Sequence, residues 1–332
     1  MRLANLAGRA VVVTPSTGSG TGGATASGAG AVDVERASNG RFGPDPQALF
    51  DEWDAFAAWA GQVPDGPSAP LDESALRAPV PRPRQVFAIG LNYAEHAAEA
   101  GYPPDAMPVT FTKFPTSIVG QDEVIELPDG NVDWEVELVV VIGREGHKLD
   151  RDSAWDHVAG LTIGQDLSER ITQLQGSAPQ FSLGKSFPGF GPTGPWLVTP
   201  DEFADRDDLA ISCTLSGEQM QSSRTSMMLY DVPELLVRLS AVCRLLPGDI
   251  IFSGTPAGIG NRRTPPRFLG PEDVLFSEIE GIGTLTTRFT RRTRSLSGNP
   301  VAELNPVAEP NPVAEPNPVA ELNPVAERKP GR

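Results

Sequence analysis

Two glutamates lie within a largely apolar run, VDWEVELVVVIG, at residues 132–143. Side chains alternate across a β-strand, so Glu135 and Glu137 would share one face of this segment. Two carboxylates at this spacing repel each other and lose hydration, unless the face is solvated or a cation neutralises them. Hard divalent cations such as Mg²⁺ bind carboxylate oxygens. The pattern therefore leaves two interpretations open, a solvated strand face and a metal site.

A third carboxylate follows the apolar run in GLTIGQDLSERITQ, residues 160–173. Asp166 stands at the end of this predicted strand, where it can add a ligand to a metal site. Arg170 and Gln173 are three residues apart and face the same side if a helical turn follows. An acid beside an arginine is typical of sites in which a metal ligand lies next to a side chain that binds an anion. The alternative is a helix N-cap followed by an exposed arginine.

Two segments rich in glycine and proline carry further polar candidates. Lys185 is the one lysine of FSLGKSFPGFGPTGPWLVT, residues 181–199, and can stabilise an oxyanion or carboxylate; the alternative is an ordinary exposed lysine. In DIIFSGTPAGIG, residues 249–260, the loop amides and Thr255 can bind a carboxylate. The first segment also matches the dinucleotide pattern GxGxxG. Its prolines remove amide donors and oppose the strand–turn–helix context, so no dinucleotide site is predicted.

The segment NYAEHAAEA, residues 92–100, is predicted to form a helix that carries a histidine–glutamate pair. His96 and Glu99 are three residues apart and therefore lie on one helix face. A carboxylate beside an imidazole orients the ring and raises its basicity, as in a general base that acts on water. The alternative interpretation is a simple surface pair.

The elements that would position these residues are mostly strands. Short apolar runs bounded by Gly, Pro and Asp predict strands at QVFAIG, VIELP, VELVVVIG, AGLTIGQ, PWLVT, LAISCTL, DIIFSG, DVLFSEIE and GTLTTRF. A second helix is predicted over residues 232–246, which are amphipathic at helical spacing. Strands outnumber helices and do not alternate with them, so we predict an α+β domain that is mostly β and spans about 85–290.

Segments of different composition flank this domain. Residues 1–80 predict a small N-terminal domain with a flexible Gly/Ser/Thr-rich loop at 14–31 and a helix at 46–61, followed by a proline-rich linker. Residues 291–332 contain five NPVAE repeats. Frequent proline opposes helix and no stretch is apolar enough to bury, so we predict a disordered tail. A docking peptide for another protein is the alternative.

Bulk composition excludes several classes of function. The chain of 332 residues has 27 basic and 43 acidic residues, and the net charge of −16 disfavours binding to nucleic acid. No apolar run approaches the roughly 18 residues of a membrane helix, and the N-terminus is a poor secretory signal. Cys213 and Cys243 lack CxxC spacing, so we expect free thiols. These features predict a cytoplasmic protein that binds neither membrane nor nucleic acid.

Five segments in a fixed order resemble the fumarylacetoacetate hydrolase superfamily, in particular its branch of acylpyruvases and 2-hydroxyhepta-2,4-diene-1,7-dioate isomerases. They are GLNYAEHAAEAG, VDWEVELVVVIG, QDLSER, GKSFPGFGPTGPWLVT and PGDIIFSGTPAGIG, within residues 85–290. The resemblance implies a mixed β-roll fold and a homodimer. Residues 1–80 resemble the small N-terminal domain of some members less strongly. Two positions depart from the usual pattern: Ile171 stands where Asp is usual, and Gln165 where Asn is usual.

The resemblance also implies a role for each candidate residue. Glu135, Glu137 and Asp166 match the family's ligands for Mg²⁺ or Mn²⁺. The family's water-activating pair matches His96 and Glu99, and its catalytic lysine matches Lys185. Its substrate-binding residues match Arg170, Gln173 and Thr255. The change at Ile171 puts the local support of Arg170 in doubt but leaves the metal ligands intact.

The implied reaction is hydrolysis of a C–C bond in an acylpyruvate, a small 2-oxo acid, with a metal-bound pyruvate enolate as the leaving group. Water activated by His96 would attack the distal keto carbon, and Lys185 would stabilise the oxyanion. An isomerase or decarboxylase of a 2-oxo or 2-hydroxydienoic dicarboxylic acid, such as oxaloacetate or an intermediate of aromatic catabolism, is the alternative enzyme. A non-catalytic scaffold that acts through the repeat tail is the alternative of another class.

Overall fold

The computed structural model describes residues 1–14, 29–62, 69–95 and 108–291. Strands dominate these residues and helices are few and short, which confirms the predicted mostly β, α+β fold. Residues Met1–Arg292 form one compact unit. Most of the predicted flexible loop and the predicted tail lie outside the described residues. Arg291, predicted as the first tail residue, is instead the last residue of the final strand and pairs with Leu127.

The described residues form nineteen strands, numbered in chain order. They are β1 (Arg2–Leu6), β2 (Arg9–Thr14), β3 (Gly30–Asp33), β4 (Ala69–Pro70), β5 (Leu76–Arg77), β6 (Val86–Gly90), β7 (Val109–Thr112), β8 (Ile118–Val119), β9 (Val124–Leu127), β10 (Val132–Asp133), β11 (Val136–Ile142), β12 (Val158–Gln165), β13 (Ser168–Glu169), β14 (Gly191–Val198), β15 (Ala210–Leu215), β16 (Glu218–Arg224), β17 (Ile250–Phe252), β18 (Val274–Ile279) and β19 (Gly283–Arg291).

The helices of the same residues are short. The α-helices are α1 (Val34–Ala37), α2 (Trp53–Ala60), α3 (Arg170–Gln173), α4 (Phe181–Gly184) and α5 (Val232–Ser240). Short 3₁₀-helices occur at Gln47–Glu52, Glu73–Ala75, Pro115–Ser117, Ala154–His157, Pro200–Glu202, Thr225–Met227 and Gly260–Arg262. No helix of the described residues has the length and apolar character needed to cross a membrane.

The largest sheet has the strand order β4-β3-β2-β1-β14-β12-β11-β17-β6-β7, with β5 beside β1 and β8 beside β14. Most of its pairs are antiparallel, but β17–β6 and β14–β8 are parallel, so the sheet is mixed. A second sheet has the order β16-β15-β18-β19-β9, and β10 pairs with β13. This arrangement agrees with the mixed β-roll that the resemblance implied.

Strand β11 lies inside the large sheet between β12 and β17, and all seven of its residues are buried. Its even-numbered residues pack in one hydrophobic cluster: Val136, Leu138, Val140 and Ile142. Val139 and Val141 face the opposite side and pack in a second cluster. Packing on both faces fixes the position of β11, and with it the position of Glu137.

The N-terminal strands continue the large sheet, because β1 pairs with both β2 and β14. The predicted helix at 46–61 is a short 3₁₀-helix followed by α2, in which Trp53 and Phe56 are buried. The helix predicted at 232–246 is shorter than expected. Helix α5 ends at Ser240 because Leu245 instead exchanges backbone hydrogen bonds with Gly146, at 3.0 and 2.9 Å.

Candidate metal and substrate site

Strands β11 and β12 bring three acidic residues together. Glu135 directly precedes β11, Glu137 is the second residue of that strand, and Asp166 directly follows β12. The two strands are antiparallel neighbours, so the start of β11 lies beside the end of β12. The backbone amide of Asp166 donates a hydrogen bond to the carbonyl of Glu135 at 2.9 Å. Sheet register therefore joins two segments that lie about thirty residues apart in the sequence.

The carboxylate oxygens of Glu135, Glu137 and Asp166 lie within 4.8 Å of one another. The three residues are 6%, 1% and 0% exposed, so the solvated-face interpretation of the two glutamates is wrong. Three converging carboxylates supply hard oxygen donors, and these are the ligands that divalent cations such as Mg²⁺ and Mn²⁺ prefer. The described residues thus contain a buried acidic triad that fits a divalent cation.

Three buried cations neutralise part of this acidity. Lys185 Nζ lies 2.8 Å from Glu135 and 2.5 Å from Asp166, and Arg170 Nη1 lies 2.7 Å from Glu135. Lys113 Nζ lies 2.7 Å from the other carboxylate oxygen of Asp166 and also donates to the backbone carbonyl of Lys185. Burial lowers the pKa of Lys185, but Asp166 and Glu135 raise it further, so the net shift is upward and this lysine stays charged.

Glu137 lies in an unfavourable electrostatic environment. Burial, followed by repulsion from Asp166 and Glu135, raises the pKa of Glu137 well above its ordinary value. One compensating hydrogen bond comes from the amide of Gly254, at 2.7 Å from Oε2. Gly254 has φ +103°, and a Cβ there would lie 2.6 Å from Asn92 Cβ, so this close approach requires glycine. A divalent cation would remove the repulsion that raises this pKa.

Arg170 is held by an acid that the sequence interpretation passed over. The predicted helical turn after Asp166 exists as α3, and Arg170 Nη1 donates to Gln173 Oε1 at 2.9 Å. Asp133 Oδ2 accepts hydrogen bonds from Arg170 Nε at 2.9 Å and from Nη2 at 2.7 Å. Ile171 is 51% exposed. The support that an acid at that position would give comes instead from Asp133.

Thr255 is buried beside the triad, but its hydroxyl hydrogen is already committed. The hydroxyl donates to the backbone carbonyl of Val136 at 2.9 Å and accepts from Gln221 Nε2 at 2.8 Å. Gln221 Oε1 in turn accepts from the amide of Val136 at 3.0 Å. These bonds hold the loop after β17 against the start of β11. The role of Thr255 as a substrate-binding residue stays a prediction.

A cavity of about 180 Å³ opens beside the triad. Its charged lining residues are Glu135, Arg170, Lys185 and Arg262. Its apolar walls are formed by Ile89, Leu91, Phe111, Leu174, Phe181 and Ile259. A volume of this size suits a small acid and is below the roughly 300 Å³ at which pockets for larger organic ligands begin. Cations and a carboxylate inside an apolar wall are typical of a site for a small charged substrate.

Residues 85–290 match the family described as fumarylacetoacetate (FAA) hydrolase, C-terminal. The chain belongs to the fumarylacetoacetate hydrolase family. The oxaloacetate tautomerase FAHD2A, mitochondrial, of Bos taurus is 44% identical over 224 residues, which cover 67% of this chain and 71% of the relative.

Two solved structures share this fold. A Mycobacterium smegmatis protein described as a candidate HpcE protein is 50% identical, with a TM-score of 0.80 over 88% of this chain and 100% of that one. A fumarylpyruvate hydrolase from Pseudomonas aeruginosa, solved with Mn²⁺ and pyruvate, is 30% identical, with a TM-score of 0.57 over 63% of this chain and 91% of that one.

The family's water-activating pair, matched to His96 and Glu99 in the sequence, lies outside the described residues. The described chain stops at Glu95 and resumes at Pro108. The role of the pair stays a prediction. Asn92, the first residue of the segment predicted to form this helix, is buried and donates hydrogen bonds to the carbonyls of Ser253 and Tyr230, at 2.7 and 2.9 Å.

Sequence reasoning missed two charged residues of the site, Lys113 and Asp133, which are both fully buried. Asp133 could have been found, because it continues the alternation of Glu135 and Glu137 by one more step in VDWEVE. Lys113 offered no comparable pattern, since it follows an unremarkable strand, β7. Only the packing of β7 beside β6 brings this lysine near Asp166.

The raised pKa of Glu137 predicts a pH dependence for the cation-free protein. The folded state binds this proton more tightly than the unfolded chain, whose glutamate pKa is about 4.3. The proton on Glu137 therefore stabilises the folded state fully below that pH. This stabilisation is lost as the pH rises towards the pKa of Glu137 in the folded state. We expect the free energy of unfolding of the wild type, relative to Glu137→Gln, to fall as the pH rises above about 4.3. Urea unfolding of both proteins in EDTA would measure it, and parallel pH curves would contradict it.

Asp133→Asn is expected to destabilise the protein by about 3 kcal/mol, because a buried ion pair loses one partner. The carboxylate of Asp133 accepts from Arg170 and from three backbone amides, those of Trp134, Gly260 and Asn261. An amide group would direct its own hydrogens at some of these donors. Asp122→Asn is the control, since its ion pair with Arg77 is exposed and worth less than about 1 kcal/mol. Equal losses in urea unfolding would refute the expectation.

Proposed function

We propose that the protein is a divalent-metal-dependent enzyme that interconverts the keto and enol forms of a 2-oxo dicarboxylic acid, with oxaloacetate as the first substrate to test. The supporting observation is the convergence of Glu135, Glu137 and Asp166 beside Lys185 at a small cavity. The name of the bovine relative, an oxaloacetate tautomerase at 44% identity, favours tautomerisation over the C–C hydrolysis that the sequence interpretation put first.

The acidic triad would hold Mg²⁺ or Mn²⁺. A bound cation would supply Lewis acidity, which would polarise the keto group of a 2-oxo acid and acidify the adjacent carbon. Lys185 contributes directly, because it lines the cavity and its ammonium group donates to Glu135 and Asp166. An ammonium group has three donor hydrogens, so one remains for the substrate oxygen on which negative charge develops.

Keto–enol tautomerisation breaks no C–C bond and moves one proton between carbon and oxygen. A base must remove the proton from the carbon next to the keto group, and the oxygen must receive one. We assign the base to His96, oriented by Glu99, the pair to which the family resemblance gives the role of activating water. Lys185 would stabilise the oxygen before the proton arrives. Arg170 and Gln173, joined to each other at 2.9 Å, would border the substrate carboxylate.

C–C hydrolysis of an acylpyruvate is the second candidate function. The observation that favours it is the 30% identity to a fumarylpyruvate hydrolase solved with Mn²⁺ and pyruvate. The same cavity would serve, with water rather than the substrate carbon giving its proton to His96. The two reactions differ in their products, because only hydrolysis releases pyruvate and a second acid from one diketone.

The deciding experiment follows enol oxaloacetate by ultraviolet absorbance, together with acetylpyruvate and fumarylpyruvate, in protein stripped of metal and resupplied with Mg²⁺ or Mn²⁺. Faster loss of the enol without pyruvate or CO₂ formation, dependent on the cation, is the expected result. Pyruvate release from a diketone would support hydrolysis instead. Release of CO₂ from oxaloacetate would support decarboxylation. No turnover of any of the three would refute the proposed function.

Two other expectations from the sequence stay predictions. One is a homodimer, which light scattering on a sizing column would test through the molar mass, against 35.3 kDa for one chain. The other is a cytoplasmic location. The name of the bovine relative places that protein in mitochondria.

A further inference from the structure

Arg262 differs from the other charged residues that line the cavity. Glu135, Arg170 and Lys185 are buried and joined to one another by ion pairs. Arg262 is exposed at the end of the 3₁₀-turn Gly260–Arg262, and its side chain forms no hydrogen bond or ion pair with any described residue. It is thus a cation that faces the cavity with its hydrogen-bond donors available.

The buried cations have little capacity left for a second anionic group. Arg170 commits four of its five N–H hydrogens, two to Asp133 and one each to Gln173 and Glu135. Lys185 commits two of its three. A bidentate grip on a carboxylate needs two adjacent N–H groups of one guanidinium. Among the cations that line the cavity, only Arg262 offers them.

The turn that carries Arg262 is fixed relative to the inner end of the cavity. Asp133 Oδ1 accepts from the amide of Gly260 at 2.7 Å, and Oδ2 accepts from that of Asn261 at 2.9 Å. The same carboxylate holds Arg170. Gly260 is packed so tightly that a Cβ there would collide with the carbonyl of Arg267. The backbone of Arg262 is therefore held in place while its side chain remains free.

The net charge of the buried cluster also points to Arg262. In the buried cluster four carboxylates (Asp133, Glu135, Glu137 and Asp166) face three cations (Lys113, Arg170 and Lys185). One negative charge remains when all seven are ionised, and a divalent cation turns it into one positive charge. A 2-oxo monocarboxylate balances that charge alone. A 2-oxo dicarboxylate needs one more cation, and Arg262 supplies it.

We propose that Arg262 binds the distal carboxylate of the substrate and thereby selects 2-oxo dicarboxylates over monocarboxylates. This inference rests on the proposed function for the identity of the substrate class. Arg262 is a specificity-determining residue and takes no part in the proton transfer. Its guanidinium would form charge-assisted hydrogen bonds with the carboxylate that oxaloacetate has and pyruvate lacks.

The test compares the dissociation constants of oxaloacetate and pyruvate by calorimetry with saturating Mg²⁺, in the wild type and in Arg262→Gln. We expect oxaloacetate binding to weaken by about 10- to 100-fold and pyruvate binding to change by less than about 2-fold. Arg262→Lys is expected to restore part of the preference. Arg267→Gln is the matched control, because it removes the same charge from an exposed arginine of the same loop.

The outcomes separate this inference from the proposed function. The assignment of Arg262 is wrong if Arg262→Gln weakens the binding of oxaloacetate and pyruvate equally, or weakens the binding of neither. It is also wrong if the wild type does not bind oxaloacetate more tightly than pyruvate. If the preference for oxaloacetate disappears in the variant while the wild type shows no tautomerase activity, the assignment stands and the proposed reaction falls. Where activity exists, KM for oxaloacetate is expected to rise in Arg262→Gln with kcat preserved.

Discussion

Replacing Glu137 with glutamine is expected to weaken the binding of Mg²⁺ and Mn²⁺ by at least about 100-fold and to remove measurable turnover. Glu137 is a central member of the acidic triad, fully buried on a strand that packs on both faces. A neutral amide removes one of three anionic ligands without changing the size of the side chain. Mn²⁺ binding measured by electron paramagnetic resonance gives the affinity without depending on the identity of the substrate.

The matched control for Glu137→Gln is Glu126→Gln, which makes the same chemical change at an exposed position of β9. The control is expected to bind Mn²⁺ with the affinity of the wild type. If Glu137→Gln did the same, Glu137 would not be a metal ligand. If both variants lost affinity, the effect would come from the change in overall charge and would say nothing about the triad.

Replacing Lys185 with methionine is expected to separate metal binding from catalysis. The fall in kcat is expected to be about 100- to 1,000-fold, as for loss of one oxyanion-stabilising donor. The affinity for Mn²⁺ is expected to stay the same or to rise, because Lys185 lies 2.8 Å from Glu135 and 2.5 Å from Asp166 and opposes the charge of an incoming cation there. Parallel measurements of kcat and Mn²⁺ affinity would show this divergence.

Lys185→Arg is expected to recover part of the lost kcat, because it keeps a donor and a positive charge. Lys148→Met, at an exposed lysine, is the control for loss of charge and is expected to change neither quantity. A Lys185→Met protein that loses metal affinity and turnover in the same proportion would mean that this lysine only holds the triad together. Its assignment to the oxygen of the substrate would then be wrong.

Strands could be predicted where a run of apolar residues in the sequence is also buried in the fold. The apolar run that becomes β11 and the run that becomes β12 are both buried along their whole length. Helix length was less predictable, because the residues after Ser240 keep an amphipathic pattern while their backbone pairs with another loop. The pattern reports which residues are apolar, whereas the end of α5 depends on a bridge between Leu245 and Gly146 that is distant in sequence.

The convergence of the three acidic residues could be predicted from the sequence, whereas the residues that support them could not. The acidic triad could be predicted because a carboxylate in an apolar strand is costly, and this cost is visible in the sequence. Gln165 shows the limit: its side chain joins the amide of Glu135 to the hydroxyl of Ser277, at 2.9 and 2.8 Å. Partners of this kind come from sheets that meet only in the folded chain, so composition and spacing do not disclose them.

The five hydrogen bonds accepted by Asp133 bear on how such a protein can diversify. The carboxylate of Asp133 joins the loop that carries Arg262 to Arg170. On the loop side it contacts only the backbone amides of Gly260 and Asn261. These hydrogen bonds therefore do not depend on which side chains the loop carries. New specificities can arise by exchanging residues such as Arg262, while the costly arrangement of buried charges is inherited unchanged.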